Sequence, residues 1–233
     1  FHKLCAFCHI SHRGLFCLSV LSIKYAKKIQ DSIIPTINDI QNVIPESFVF
    51  FRPRDIVSGD FYWINEAEDK FFLACVDCTG HGVPGALMSM LGTAILDDVV
   101  IEKGIMQPDE ILNHLRKRVV GTLNRDNPNQ PTKDGMDIAV CLWDGQLHYA
   151  GAKNPLWVVS NGEVRKYRGD KIAVGYFHGE EKPYVCQTVP VNKGDMLYVF
   201  SDGYVDQFGG EKGKKLKPKS FKNILLKSFN ESM

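Results

Sequence analysis

The stretch Asp77-Cys78-Thr79-Gly80-His81-Gly82-Val83-Pro84-Gly85-Ala86 separates two different patterns in this chain. The run before it, residues 71–76, is short, apolar and aromatic, which is typical of a β-strand. The residues after it repeat apolar side chains at helical spacing, and Pro84 is well placed in the first turn of a helix. The sequence therefore predicts an acidic residue at a strand end, followed by a glycine-rich loop that leads into a helix.

Further strand and helix patterns lie on both sides of this stretch. The predicted strands are 47–51, 60–65, 71–76, 136–143, 146–150, 156–160, 163–167, 185–189 and 196–200. The predicted helices occupy 24–44 with a break at Pro35, begin near Pro84 and near Pro108, and close the chain at 221–229. Strands, then two helices, then a meander of strands predict an antiparallel sheet packed by helices, an α+β fold.

The composition points to a globular domain whose function lies in a local site. Hydrophobic residues make up 44% of the chain and charged residues 24%, while 28 basic and 27 acidic residues leave a net charge of +1. Such a balance gives no general attraction for nucleic acid. The lysines near the end of the chain favour a solvated loop, with contact to an acidic partner as the alternative: Lys212, Lys214, Lys215, Lys217 and Lys219.

Three aspartates share one sequence context. Asp60, Asp77 and Asp202 each stand at the end of a predicted strand, beside glycine or a small residue. Carboxylates that converge on one sheet edge suit a hard cation such as Mg²⁺ or Mn²⁺. For any one of them alone, the formation of a turn is the simpler explanation.

The motifs around these aspartates carry a family resemblance. Val57-Ser58-Gly59-Asp60-Phe61-Tyr62-Trp63, the 77–86 stretch and Phe200-Ser201-Asp202-Gly203-Tyr204 occur in that order. Together they resemble the bacterial serine/threonine phosphatases of the stage II sporulation protein E type, a branch of the metal-dependent PPM (type 2C) superfamily. Residues 135–139 and 151–155 are similar to the central strands of that branch. The resemblance covers about residues 25–233.

The resemblance implies a fold, a cofactor and a reaction. The expected fold is an α/β/β/α sandwich in which the last strand of the family lies beyond residue 233. The expected cofactor is a pair of Mn²⁺ or Mg²⁺ ions held by Asp60, Asp77, the backbone carbonyl of Cys78 and Asp202. The expected reaction is a direct attack on the phosphate by a water that the two ions activate.

Other residues near the aspartates have two interpretations each. His81 is a candidate general acid for the leaving oxygen, or a structural residue. Arg54 is a candidate phosphate ligand, or a solvent-facing arginine. The thiol of Cys78 is not expected to act as a nucleophile, because the resemblance gives its backbone the role.

The expected organisation has three parts: an atypical, disordered leader over 1–23, a linker or switch helix over 24–45, and the phosphatase domain over 46–233, incomplete at its end. The leader contains the cluster Cys5, Cys8, His9 and His12, whose spacing also occurs in haem and zinc sites. A fortuitous cluster is favoured, because the four residues are crowded together. The apolar side of the switch helix packs either on the domain itself or on a second copy, giving a homodimer through residues 24–34.

The predicted function is that of a phosphoserine/phosphothreonine protein phosphatase. The resemblance implies a phosphorylated regulatory protein, such as an anti-sigma-factor antagonist, as its substrate, with a sensor or coiled coil upstream and no nucleic-acid partner. The expected location is the cytoplasm, either free or tethered to the cytoplasmic face of the membrane by upstream sequence. The alternative function is a phosphatase-like binding module with impaired catalysis, since the missing strand carries a further metal ligand in the family.

Overall fold

The computed structural model describes residues 12–67, 69–125, 130–179, 182–209 and 213–231. The helices in this part of the chain are α1 (His12–Asp31), α2 (Ile37–Val43), α3 (Gly82–Asp97), α4 (Pro108–Leu123) and α5 (Lys217–Glu231), with a π-helical segment at Asp98–Glu102. The strands are β1 (Phe61–Ala67), β2 (Lys70–Cys78), β3 (Gly135–Trp143), β4 (Leu147–Ala152), β5 (Leu156–Ser160), β6 (Glu163–Tyr167), β7 (Val174–Gly175), β8 (Gln187–Val189), β9 (Met196–Val199), β10 (Phe208–Gly209) and β11 (Lys214–Lys215).

The strands form two sheets and a small hairpin. The larger sheet has the order β1-β2-β3-β4-β8, and β7 pairs with the first residues of β3. The smaller sheet has the order β6-β5-β9, and β10 pairs with β11. Every pair of these strands is antiparallel.

Successive side chains along a strand point to opposite faces of its sheet, so each face can pack against a neighbouring layer. The core accordingly consists of three groups of buried side chains. Phe72 and Val76 of β2 face the helix layer of α3 and α4, where Leu96 and Leu112 are fully buried. The opposite face of the same sheet packs against the smaller sheet. Its contact residues include Cys141, Tyr149, Leu156 and Val158. On the outer face of the smaller sheet, α5 packs Phe221, Leu225 and Phe229 against Trp157 and Val159. The predicted α/β/β/α sandwich is therefore confirmed.

One predicted strand does not form. Residues 47–51 have no strand partner, although aromatic and β-branched residues alternate there. Phe48 packs its ring against Tyr198, and Phe50 packs its ring against Tyr204, each in an edge-on contact. The alternation therefore serves ring contacts with the smaller sheet and the loop after it rather than a ladder of backbone hydrogen bonds.

The helix before the sandwich is longer than predicted. Helix α1 begins at His12, inside the segment predicted as a leader, so the structure has no boundary at residue 23. Residues 15–23 are mostly apolar and contain neither glycine nor proline, so the sequence there has no helix-breaking residue. Cys5, Cys8 and His9 lie outside the described residues. Thr36 caps α2 through a reciprocal hydrogen-bond pair with Asp39, which fixes the break after Pro35.

Helix α3 and the π-helical segment form a continuous apolar helix, Gly82–Glu102. In the described part of the chain, it alone is long and apolar enough to cross a membrane by length and composition. Half of this helix is buried, and its residues Leu96 and Val99 belong to the core beneath the larger sheet. Its position is that of a core helix.

Two glycines bring the loop before β1 against the start of α3. A β-carbon at Gly59 would lie 2.8 Å from the carbonyl oxygen of Gly80, and a β-carbon at Gly85 would lie 2.7 Å from the same oxygen. Real side chains do not approach this closely, so glycine is required at both positions. The loop before β1, the loop after β2 and the first turn of α3 are thereby fixed as one unit.

Gly85→Ala tests this close contact. We expect the free energy of unfolding to fall by about 1–3 kcal/mol, because the new methyl group meets backbone atoms that cannot rotate away. The matched control is Gly121→Ala in α4, where a β-carbon would meet no atom within 4 Å. That change should stabilise the protein by about 0.5–1 kcal/mol through helix propensity. Urea denaturation measures both, and equal stabilities for the two variants would contradict the proposed contact.

Candidate active site

Asp60 and Asp77 face each other at the edge of the larger sheet. Phe61 pairs with Val76 in the antiparallel register of β1 and β2, so the residue before Phe61 lies across from the residue after Val76. The two-residue period places Asp77 on the same face as Leu73 and therefore towards the smaller sheet. The two carboxyl groups are in contact, and each shifts the pKa of the other.

The segment after β9 brings two more side chains to this edge. The hydroxyl of Ser201 donates a hydrogen bond of 2.7 Å to Oδ2 of Asp60. Asp202 is exposed, and its charge acts on both Asp60 and Asp77. Within the described residues, no group of three or more His, Cys, Asp or Glu side chains is arranged closely enough to hold a metal ion. The structure thus joins Asp60 to Asp77, with Asp202 further away.

Burial and like charge make this pair of carboxyl groups hard to ionise. Burial is the largest cause that raises the pKa of Asp77 to about 8, followed by the charges of Asp60, Asp202 and Asp137. Burial also raises the pKa of Asp60, although the hydrogen bond from Ser201 partly opposes this rise. Without a cation, Asp77 therefore keeps its proton at neutral pH.

Three further residues lie beside the pair, and the sequence patterns did not identify them as site residues: Asp137, Lys153 and Asn154. Asp137 is the cross-strand partner of Asp77 and forms an ion pair of 3.1 Å with Lys153. Asn154 donates a hydrogen bond of 3.1 Å to the backbone oxygen of Asp137. These residues lie within 135–139 and 151–155, and the resemblance of these two stretches to the family is the sequence feature that could have identified them.

Helix α1 reaches the same site through one buried side chain. The amide of Gln30 donates to the backbone oxygen of Ser58 at 2.7 Å and to the hydroxyl of Ser89 at 2.9 Å, and it accepts from the backbone N–H of Ser58 at 2.9 Å. Gln30 is only 2% exposed. Because Ser58 is two residues before Asp60, α1 and α3 jointly fix the backbone that carries this aspartate.

Of the remaining predicted site residues, His81 and Arg54 are exposed and Cys78 is buried. His81 precedes α3 and contacts Oδ2 of Asp55 through Nδ1 at 2.8 Å. Arg54, the neighbour of Asp55, is exposed. The Cys78 side chain is buried, and burial raises the pKa of its thiol, so it has no character of a nucleophile. The backbone oxygen of Cys78 would lie 3.5 Å from a β-carbon at Gly59 and so belongs to the same unit.

Comparison with known proteins identifies the family. The family model for Stage II sporulation protein E (SpoIIE) matches residues 67–232. The chain belongs to the SpoIIE family. The SiaA-PP2C domain of Pseudomonas aeruginosa shares 32% sequence identity and a TM-score of 0.76 with this SpoIIE-family domain, over 91% of this chain and 87% of that chain. No curated protein sequence gives a significant match.

More distant structures support the PP2C fold of the SpoIIE-family domain. The PP2C domain of SpoIIE from Bacillus subtilis gives a TM-score of 0.53 at 18% identity, covering 76% of this chain and 54% of that chain. The RsbU and RsbW domains of Rv1364c from Mycobacterium tuberculosis give a TM-score of 0.58 at 19% identity, covering 76% of this chain and 47% of that chain. The predicted family and fold are both confirmed.

The residues at the sheet edge of this SpoIIE-family domain fit a hard divalent cation. Asp60 and Asp77 present carboxylate oxygens, the donors that Mg²⁺ and Mn²⁺ prefer. Their raised pKa values reflect negative charge that burial leaves uncompensated, and a bound cation is the usual compensation. The predicted roles of Asp60, Asp77, Asp202 and the Cys78 carbonyl as ligands stay predictions.

The metal-free SpoIIE-family domain should lose stability as the pH rises from about 4 to about 8, because the folded state retains the proton of Asp77 that the unfolded state releases. Asp77→Asn removes this loss. We expect its Tm at pH 8 without metal to exceed that of the wild type by at least about 2–4 °C, the shift that about 1 kcal/mol produces in a domain of this size.

Thermal melts in a chelating buffer at several pH values provide the measurement. The two proteins should converge towards pH 4, and Asp69→Asn, an exposed residue in the turn between β1 and β2, should follow the wild type. A lower Tm for Asp77→Asn at pH 8 would show that this carboxylate stabilises the fold instead.

Proposed function

We propose that the protein is a metal-dependent phosphoprotein phosphatase that hydrolyses phosphoserine and phosphothreonine. The observation that carries this proposal is the contact between Asp60 and Asp77 at the sheet edge of a SpoIIE-family domain. Two half-buried carboxyl groups with raised pKa values lower the stability of the metal-free fold, so packing alone does not explain their presence. Functional sites are where such an arrangement is expected.

The proposed cofactor is a pair of Mn²⁺ or Mg²⁺ ions held by Asp60, Asp77, the Cys78 carbonyl and Asp202. When bound, such ions supply Lewis acidity for the attack of water on phosphorus and neutralise the charge of the phosphate. Ser201 holds one oxygen of Asp60 and so orients the other towards the shared site. Asp55 contacts Nδ1 of His81 and so orients the ring, and Nε2 would donate a proton to the leaving oxygen when the imidazole is doubly protonated.

The proposed substrate is a phosphorylated regulatory protein of a bacterial signalling pathway, such as an anti-sigma-factor antagonist. Supporting this choice, one structure of similar fold combines an RsbU and an RsbW domain in a single chain. A substrate of this class places the proposed activity in the cytoplasm. The near-neutral charge of the chain gives no support for a nucleic-acid partner.

Hydrolysis of a phosphoserine peptide, with Mn²⁺ titrated into the chelator-treated protein, tests the proposal. We expect activity that depends on the metal and that falls by about 100-fold or more in Asp60→Asn, since even an outer residue of a metal site usually contributes 10–100-fold. Asp144→Asn should retain the wild-type rate, because this carboxylate lies in the turn at the far end of β3.

The same experiment decides between an enzyme and a binding module. If the wild type binds Mn²⁺ but releases no phosphate from any phosphopeptide, the phosphatase proposal fails. Binding of a phosphorylated partner without metal and without hydrolysis would instead support the alternative of a catalytically impaired docking domain.

We also propose that α1 is a switch helix that adjusts the active site. Its polar contact with the site is Gln30, which binds both backbone groups of Ser58. Its apolar residues Leu21, Tyr25 and Ile29 are 56%, 66% and 48% exposed, and they follow one another at intervals of four residues on one face. The proposed homodimer through residues 24–34 would use this face.

Ile29→Asp combined with Ile33→Asp tests the switch. These side chains are 48% and 38% exposed, so charged replacements need not be buried and the domain should stay folded. We expect the phosphatase rate or its Mn²⁺ dependence to change. Ile29 lies in α1 and Ile33 in the turn after it. The matched control replaces two exposed lysines of α1, Lys24→Glu with Lys28→Glu. Circular dichroism melts accompany the rates, and a folded double variant with wild-type rate and metal response would rule out the switch.

A further inference from the structure

Lys153 has an unusual backbone conformation at the edge of the candidate site. It lies in the turn between β4 and β5 with φ of 61°, in the left-handed region that glycine adopts without cost. Its side chain is 49% exposed and points its ammonium group at Asp137, 3.1 Å away. A residue with a β-carbon is strained in this conformation, and such strain is found most often where a side chain serves an active or binding site.

The turn that carries Lys153 is held firmly on three sides. The backbone N–H of Lys153 donates to the carbonyl of Asp170 at 2.8 Å. The hydroxyl of Tyr149, which is fully buried, donates to the carbonyl of Asn154 at 2.6 Å. The side chain of Asn154 in turn binds the backbone of Asp137. The lysine is therefore presented from a rigid position rather than from a free loop.

Its immediate surroundings are acidic. Asp137 pairs across the sheet with Asp77, and Asp77 contacts Asp60, so Lys153 places a cation beside a row of three aspartates. A lysine pair that is half exposed to water contributes little to stability, because solvent screens it. The ion pair with Asp137 alone does not account for a lysine held in a strained conformation.

We propose that Lys153 binds the phosphate group of the substrate at this edge. The inference rests on the proposed function, and it assigns to this chain a substrate-binding residue beyond the predicted set. The ligand is a phosphomonoester dianion, whose oxygens accept charge-assisted hydrogen bonds from the ammonium group. Asp137 holds the ammonium group in place until the phosphate arrives.

The decisive measurement is the affinity for inorganic phosphate, titrated calorimetrically into the Mg²⁺-loaded full chain. Lys153→Met should weaken phosphate binding by about 10-fold or more, the usual effect of one hydrogen bond to a charged group. Lys153→Arg should restore most of the binding, because it keeps the charge. Lys153→Gly should bind phosphate as weakly as Lys153→Met but melt at a higher temperature, since glycine relieves the left-handed strain.

The matched control is Lys103→Met. Lys103 forms an ion pair with Asp98 in which the side chains are 41% and 33% exposed, close to the 49% and 31% of Lys153 and Asp137. It lies beyond the far end of α3, away from the aspartates. This variant should bind phosphate as the wild type does, and Mg²⁺ affinity should be the same in all variants.

Kinetics on a phosphoserine peptide supply the second readout. The KM of Lys153→Met should rise by the factor found for phosphate, with a smaller change in kcat. Equal phosphate affinity in the wild type, Lys153→Met and Lys103→Met would overturn the proposal, as would a wild type that binds no phosphate. If phosphate binding depends on Lys153 while no peptide is hydrolysed, the proposed function fails but the phosphate site stands.

Discussion

Two half-buried carboxyl groups, Asp60 and Asp77, are held against each other at the edge of a sheet, and much of the surrounding structure maintains this contact. The register of β1 and β2 sets them face to face, and Gly59 and Gly85 let the neighbouring backbones close around them. The arrangement opposes stability, because burial and like charge raise both pKa values. The large apolar core of the sandwich contributes the stability that offsets this unfavourable arrangement.

The local features of this site could be predicted from the sequence. The apolar run before Asp77 predicted a strand end, and Pro84 predicted the helix, which begins two residues earlier at Gly82. Motif resemblance predicted the sandwich. The strand end and the helix start are each encoded within ten or so neighbouring residues, so periodicity and turn chemistry are sufficient to detect them.

The contacts between distant segments could not be predicted in this way. Gln30 binds Ser58 across 28 residues, and Ser201 binds Asp60 across 141 residues. No periodic pattern links such pairs, because their meeting depends on how the sheets stack. Residues 47–51 show the converse error, since an alternation that resembles a strand serves ring contacts to Tyr198 and Tyr204.

The hydrogen bond from Ser201 to Asp60 also ties the site to the completion of folding. The strands that bring Asp60 and Asp77 together, β1 and β2, and their neighbour β3 all precede β9 in the chain, so they leave the ribosome before it. Only when β9 joins β5 does the serine reach the carboxylate that it orients. A nascent or proteolytically shortened chain therefore carries the acidic pair without its orienting partner, and a correctly set Asp60 marks a sandwich whose two sheets are both in place.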